Sequence, residues 1–391
     1  SGQEQEDVRE MLDEIEQNIN IKFLEVEESE TSAGNMRFTW STLDPGDASA
    51  WAYLPTGSRA TDSDVWLFTE TLRYEMIADP HDTWFKDTVL HEIGHALGLK
   101  HSFETEGLFG VMPEEYEGNP FTVMSYDYLD YGDKYYDDVV VPTDLMVFDI
   151  LALQYLYGAN YNYSAGDDIY YLLPEELNYE ALWDSGGNDT LDATYMKDDL
   201  TLSLLPNSWS DVGTVVDVLD ETYEGNDILT YTYFILDDSI IENAIGGSGN
   251  DDIIGNDVNN ILSGGAGVDY LYGGIGADNF YGGNDLDAFL FNQGDSVLII
   301  GGSSDAGSIL GYDTILDFET GNGTFNSETI DTVGTASVVA NTAGTDGTDS
   351  GLTIGAATIK SHAITDGVII FDDADTFAGA LDINTNSEIA A

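Results

Sequence analysis

From Gly246 to Leu290 the chain divides without a gap into five nine-residue units: GGSGNDDII, GNDVNNILS, GGAGVDYLY, GGIGADNFY and GGNDLDAFL. The shared pattern is Gly-Gly-x-Gly-x-Asp-x-apolar-x. Six residues of each unit suit a tight turn that needs glycine's positive φ, and three suit a short strand with one side chain turned inward. Units of this kind stack into a parallel β-roll. Every unit keeps an apolar eighth residue (Ile253, Leu262, Leu271, Phe280 and Phe289), which a generic Gly/Asp-rich linker would have no reason to do.

The repeats belong to a strongly acidic chain. Ten Lys and Arg against 74 Asp and Glu leave a net charge of −64 over 391 residues. Such a surplus repels phosphate backbones and anionic lipid, which argues against nucleic-acid and membrane-surface partners. Hydrophobic residues at 42% are too many for a disordered acidic polymer. The acid must therefore lie on a folded, solvated surface, as in a marine or salt-adapted protein, or face cations. Cysteine is absent, which removes disulfides and thiol chemistry together and leaves bound metal as the substitute staple of an extracellular protein. The longest apolar stretch, from Val139 to Tyr157, is broken by Pro142, Asp144 and Asp149, so no membrane span is expected. No signal peptide opens the chain, and Ser1 reads as the start of a mature or trimmed form.

Glycine is sparse before Gly158 and, with Asp and Asn, abundant from Asp184 onward. We expect two domains, residues 1–160 and 161–391, the second closing in a β-rich cap. In the first, Val8, Met11, Leu12, Ile15 and Ile19 fall at helical spacing over residues 4–20. Strands are expected at Ile21–Val26, Met36–Trp40, Ala50–Leu54 and Asp64–Phe68, and helices at Lys86–Leu99 and Thr143–Tyr157. That interleaving gives an α+β or α/β-like domain. Strands are also expected at Asp313–Phe318 and Val368–Phe371.

Residues 91–101 read His-Glu-Ile-Gly-His-Ala-Leu-Gly-Leu-Lys-His. His91 and His95, four apart, share one helix face and can reach a single cation. Gly98 stops the helix and turns the chain so that His101 supplies a third imidazole. Three neutral imidazoles leave zinc an open position for water, the arrangement of a catalytic site. Glu92, beside the first ligand, is placed to take a proton from that water. The other histidines, His81 and His362, read as surface residues.

The eleven-residue pattern is the long zinc motif of the metzincin metalloproteases, and Phe-Thr-Val-Met-Ser-Tyr at 121–126 resembles their Met-turn. With the nonapeptide units, the chain resembles the serralysins, secreted calcium-dependent bacterial proteases, from about residue 4 to Phe318. The resemblance takes in Leu156–Asn160, Trp183–Asp189 and Ile241–Gly247. It implies a secreted, monomeric zinc endopeptidase of bacterial origin. Tyr126 would be an additional zinc ligand that swings away to stabilise the oxyanion, and Met124 a structural residue under the metal. Ala50–Pro55 would be the edge strand on which a protein or peptide substrate is laid, and a proteinaceous inhibitor is a further implied partner. Ser102 stands where serralysins usually carry proline and matrixins carry serine. The family's leading strand, short propeptide and acidic-then-hydrophobic terminal signature are not found at the two ends.

The resemblance also implies structural calcium, each ion held between one turn and the turn two units later. One set is Gly247, Gly249, Asp251, Gly264, Ala266 and Asp269; a second is Gly265, Gly267, Asp269, Gly282, Asn284 and Asp287. On the opposite edge Asn256, Val258 and Asn260 would face Gly273, Ile275 and Asp278, with Gly274 and Gly276 continuing that turn. Gly283, Asp285, Asp287 and Asp317 make a further set. Asn260 replaces the usual Asp, so weaker binding is expected on its edge. At the junction the implied ligands are Ser164, Gly166, Asp168, Asp184, Gly186 and Asp189, then Gly187, Asp189, Ile240 and Glu242. The competing reading from another class is a non-catalytic, calcium-stiffened surface or adhesion module with a vestigial zinc site.

Overall fold

The computed structural model describes residues 2–29, 33–42, 48–58, 61–69, 83–105, 110–126, 142–174, 179–212, 233–291, 299–301, 308–310, 313–316, 329–332, 336–338, 353–354, 357–358, 363–365 and 368–370. Two compact units emerge: Ser1–Ala165 with Leu177–Ser185 and Thr214–Leu236, and Gly166–Glu176 with Gly186–Gly213 and Asp237–Ala391.

The first unit opens with helix α1 (Gly2–Asn18), which buries Met11 and Ile15 from one face. A three-stranded sheet follows, made of β1 (Phe38–Ser41), β2 (Ala50–Ala52) and β3 (Val65–Phe68). The order is β1-β3-β2, with β1 parallel and β2 antiparallel to β3, so β2 is an edge strand. Helix α2 (Thr83–Leu97) packs against β2 and β3 and buries Phe85, Val89, Leu90 and Ile93. Its end is a Schellman turn: Leu99 N donates to Gly94 O at 2.9 Å and Gly98 N to His95 O at 3.0 Å. Gly98 takes φ 107°, which side chains rarely adopt. Helix α3 (Val147–Tyr157) stops at Gly158, and Tyr157 Oη donates to Leu97 O at 2.7 Å, tying it to the end of α2.

The expected strand at Ile21–Val26 does not form. The segment is rich in apolar residues, but no described strand pairs with it, and Leu24 and Val26 are exposed. An apolar run forms a strand only where a partner can take its hydrogen bonds.

The second unit carries two six-stranded sheets. One holds β4 (Ile169–Tyr171), β5 (Thr190–Asp192), β7 (Asn243–Ile245), β9 (Ile261–Ala266), β11 (Asn279–Asn284) and β13 (Thr314–Ile315), all parallel. The other holds β6 (Thr201–Ser203), β8 (Asp252–Ile254), β10 (Tyr270–Tyr272), β12 (Ala288–Phe291), β14 (Thr329–Thr332) and β15 (Ala336–Val338), parallel except for β14–β15. Successive nonapeptides alternate between the sheets, so units two apart pair in register: Leu262 with Phe280, Ile253 with Leu271, and Leu271 with Phe289. All five eighth-position residues have no exposed surface. Phe280 and Phe289, one from each sheet, meet edge to face at 5.9 Å, so the two columns form one core. Farther on, Val368–Ile370 pairs antiparallel with Ala363–Thr365.

Candidate metal centre and active site

His91 and His95 lie one helical turn apart on α2, and the turn at Gly98 returns His101 beside them. The three offer ligand nitrogens within 4.8 Å of one another. Each Nδ1 is already committed to an oxygen: His91 to Val123 O at 2.6 Å, His95 to Leu99 O at 2.9 Å and His101 to Glu104 Oε1 at 2.7 Å. Carbonyl and carboxylate oxygens only accept, so each Nδ1 carries the proton and each Nε2 presents a lone pair. His95 and His101 bring their Nε2 atoms to 3.1 Å, and His91 Nε2 is buried without a hydrogen-bond partner. Two nitrogens bound to one tetrahedral zinc stand roughly 3.3 Å apart. Burial holds His91 down to about 3 and also lowers His95, so both stay neutral, as ligands must. The donor set fits zinc.

Glu92, on the same helix, is buried; the Ala52 amide of β2 donates to it, while Oε2 has no partner. Burial pushes its carboxyl up to about 8, above the ordinary carboxylate range. A dication on the neighbouring imidazoles opposes that shift and favours the carboxylate.

Tyr126 stands 57% exposed, with its hydroxyl 2.7 Å from His101 Nε2. Burial of its inner part, then the charges of Glu92 and Glu104, raise its pKa. Met124 Sδ fits against Gly94, between the two helical ligands in sequence. The turn bearing it is fixed from α3: Asp149 accepts from Thr122 Oγ1 at 2.6 Å, Val123 N at 2.8 Å and Met146 N at 3.1 Å. Burial lifts the Asp149 carboxyl to about 6 against the lowering effect of those bonds. Ser102 and Ser125 both donate to Glu117 Oε1, at 2.6 and 2.7 Å, joining the third-ligand loop to the Met-turn. Asp149, Glu117 and Glu104 carry no sequence signal, because none belongs to a spaced motif. Of Ala50–Pro55 only Ala50–Ala52 is strand; Trp51 projects from it, 42% exposed.

In the second unit, turns two units apart lie against each other. Asp251 N donates to Asp269 Oδ1 at 2.8 Å, and Ala266 N to Gly247 O at 3.1 Å. One step on, Asp269 N donates to Asp287 Oδ1 at 3.0 Å and Gly267 N to Asn284 O at 3.3 Å. Gly264 lies against Gly282 O, Gly265 against Gly247 O, Gly267 against Gly249 O and Gly283 against Gly265 O, each too close for a side chain. On the opposite edge Asn260 N donates to Asp278 Oδ1 at 2.8 Å, while Gly274 and Gly276 lie on Asn256 O and Val258 O. Gly273 sits against the Asp278 carboxylate, and Ile275 is partly exposed. Asp269 Oδ2 is buried with no hydrogen-bond partner, and burial raises its carboxyl to about 7.

Sequence reading missed Asp313, whose Oδ1 accepts from Asp278 N at 3.0 Å as Asp278 itself accepts from Asn260. Nonapeptide spacing ends at Leu290, so no count along the chain reaches it. Asp317, His81 and His362 lie outside the described residues. Asp285 takes φ 78° in an exposed turn after Gly283. Among the junction residues, Asp168 N donates to Asp189 Oδ1 at 2.7 Å, Asp189 N to Glu242 Oε2 at 2.8 Å, and Gly187 lies against Gly166 O. Gly186 takes φ 126°, and Ile240 is 43% exposed. In the first unit Ser185 N donates to Ser164 O at 3.1 Å, and Asp184 is buried.

Helical His91 and His95, a third histidine past a glycine turn and a methionine turn beneath them define the metzincin class of zinc site. Comparison with known proteins narrows this. The family model described as Peptidase M10 serralysin C terminal matches residues 156–354, and the Matrixin model matches residues 1–129. The chain belongs to the peptidase M10 serralysin family. It is 32% identical over 281 residues to serralysin of Proteus mirabilis, covering 65% of this chain and 54% of that protein. Serralysin of Photorhabdus laumondii is 33% identical over 260 residues (61% and 50% covered), and metallopeptidase AprA of Pseudomonas marginalis 32% over 259 (61% and 50%). The chain spans about half the length of the curated relatives it matches. No helix among the described residues is long and apolar enough to cross a membrane.

Proposed function

We propose that this chain is a secreted zinc endopeptidase that hydrolyses extracellular proteins, with calcium stiffening a β-roll built from its two parallel sheets. The observation that carries the reading is the convergence of three imidazole nitrogens whose Nδ1 atoms are all committed elsewhere. Zinc bound by His91, His95 and His101 supplies a Lewis acid for the water and the scissile carbonyl. Glu92 takes the proton of the attacking water and hands it to the leaving amine. Tyr126, an additional ligand in the resting site, turns its hydroxyl toward the oxyanion of the tetrahedral intermediate and donates to it. The substrate lies extended and antiparallel along β2, an edge strand among the described residues, which runs within reach of Glu92 through Ala52.

The domains are proposed as residues 1–160, catalytic, and 161–391, the roll and its cap. The calcium ligands are the turn carbonyls and sixth-position carboxylates described above, with Asp313 added; the buried Asp269 Oδ2 supports this reading. The chain acts as a monomer, and a proteinaceous inhibitor would occupy the same edge. The decisive experiment is casein cleavage by the full chain with calcium and zinc. Chelator-sensitive cleavage that Glu92→Ala reduces by about 10²–10⁴ is expected. Absence of cleavage, or equal cleavage by Glu92→Ala, would leave a non-catalytic calcium-stiffened module.

A further inference from the structure

The three imidazoles are not held alike. His91 and His95 give their Nδ1 protons to main-chain carbonyls, whereas His101 gives its proton to the carboxylate of Glu104. The loop presenting that carboxylate is itself tied down. Glu104 N donates to His101 O at 3.2 Å, and Lys100 Nζ donates to Glu104 O and, at 3.2 Å, to Gly110 O. Phe103 stacks on the other side of the problem: its ring lies 5.0 Å from the His101 imidazole and 6° from parallel. The ring is therefore gripped on one face and on one edge, with Nε2 turned toward the other ligands.

We infer that Glu104 is a positioning residue that sets how tightly His101 binds zinc. The inference rests on the zinc reading above. A carboxylate on Nδ1–H fixes the tautomer that leaves Nε2 bare and draws electron density toward that nitrogen, making it a stronger donor. The Glu104 side chain is 43% exposed, so its through-space attraction is partly screened. The hydrogen bond, and the tautomer it selects, does not depend on that attraction. Main-chain carbonyls cannot be removed by changing a side chain, so among the Nδ1 partners Glu104 alone can be tuned by substitution.

The test is the zinc dissociation constant of the full chain, measured at neutral pH and fixed calcium by competition with a chromogenic chelator. One zinc per wild-type chain is expected, with Glu104→Ala binding about 10- to 100-fold more weakly. Glu104→Gln keeps an acceptor but loses the charge, and should fall between the two; it also serves if Glu104→Ala does not fold. Zinc-free melting temperatures of the variants should match wild type, which a merely structural role would not give. Equal zinc affinity of wild type and either variant overturns the inference. A wild-type chain that takes up no zinc overturns the underlying reading instead.

Discussion

A Cβ placed on Gly94 would lie 2.5 Å from Met124 Sδ, a separation that real side chains do not show. Gly94 thus keeps open the space on α2 that the methionine of the turn occupies, and Met124 is itself almost fully buried. Gly94→Ala would gain up to about 1 kcal/mol of helix propensity. Overpacking against a buried thioether costs about 1–3 kcal/mol and displaces the turn. The larger of the two effects is the clash, since Met124 can yield only by moving within a buried site. We expect a lower melting temperature and weaker zinc binding, checked by calorimetry and chelator competition; an unchanged zinc affinity would show that the turn does not support the ligands.

Asp149 reaches the same turn from α3. Its carboxylate accepts three donors, and one of them, Val123 N, belongs to the residue whose carbonyl orients His91 at 2.6 Å. Asp149→Ala leaves those donors buried and unmet, at about 1–3 kcal/mol for each group that water cannot reach. The expected result is a large loss of stability, with the residual folded protein binding zinc less tightly. Thermal melts with and without zinc would measure both; a variant as stable as wild type would refute the anchoring role.

What could be read in advance follows from range along the chain. The zinc motif is local: His91 and His95 share a helix face through i,i+4 spacing, and Gly98 announces the turn that returns His101. The repeat is readable because its period is fixed, so the inward eighth positions, Leu262 and Phe280 among them, can be found by counting. Asp149 and Val123 are 26 residues apart and Ser102 and Glu117 15 apart, with nothing periodic between them. Asp313 escaped because the count stops at Leu290. At Ile21–Val26 an apolar run suggests a strand, but nothing local says whether a neighbouring strand exists to pair with it.

Calcium and protons should compete at the turns. Burial first, and then the charges of Asp251, Asp287 and Asp285, lift Asp269 to about 7; Asp251 is also raised, chiefly by burial. A folded-state value above the ordinary 3.8 means the metal-free fold gains stability from these groups at low pH. That contribution is lost as pH rises through about 7. Bound calcium favours the charged carboxylates, so its stabilising effect should grow over the same window. In chelator the melting temperature should fall as pH rises from 3.8 to about 7 and level off above that, and the calcium-induced rise should widen over the same range. A rise independent of pH would refute the linkage.

Asn260 stands at the sixth position of its repeat with both the oxygen and the nitrogen of its amide hydrogen-bonded. Its Nδ2 donates to Glu242 O at 2.8 Å and Asn256 Oδ1 at 3.0 Å, and its Oδ1 accepts from Asn256 N at 2.9 Å. Asn256 adds a donor of its own, Nδ2 to Ile241 O at 2.8 Å. Amide hydrogens here do what calcium is proposed to do at Asp269, whose Oδ2 is left buried without a hydrogen bond. Asn260→Asp would set a carboxylate oxygen against Glu242 O and Asn256 Oδ1, all acceptors, with no hydrogen between them. In chelator we expect a loss of about 1–3 kcal/mol, the cost of leaving buried acceptors unmet. Millimolar calcium should restore much of it, and titration calorimetry should find tighter or additional calcium binding. Asp269→Asn should act in the opposite sense, losing an ion and weakening the dependence on calcium. If Asn260→Asp melts like wild type in chelator, the amides do not substitute for a cation at this turn.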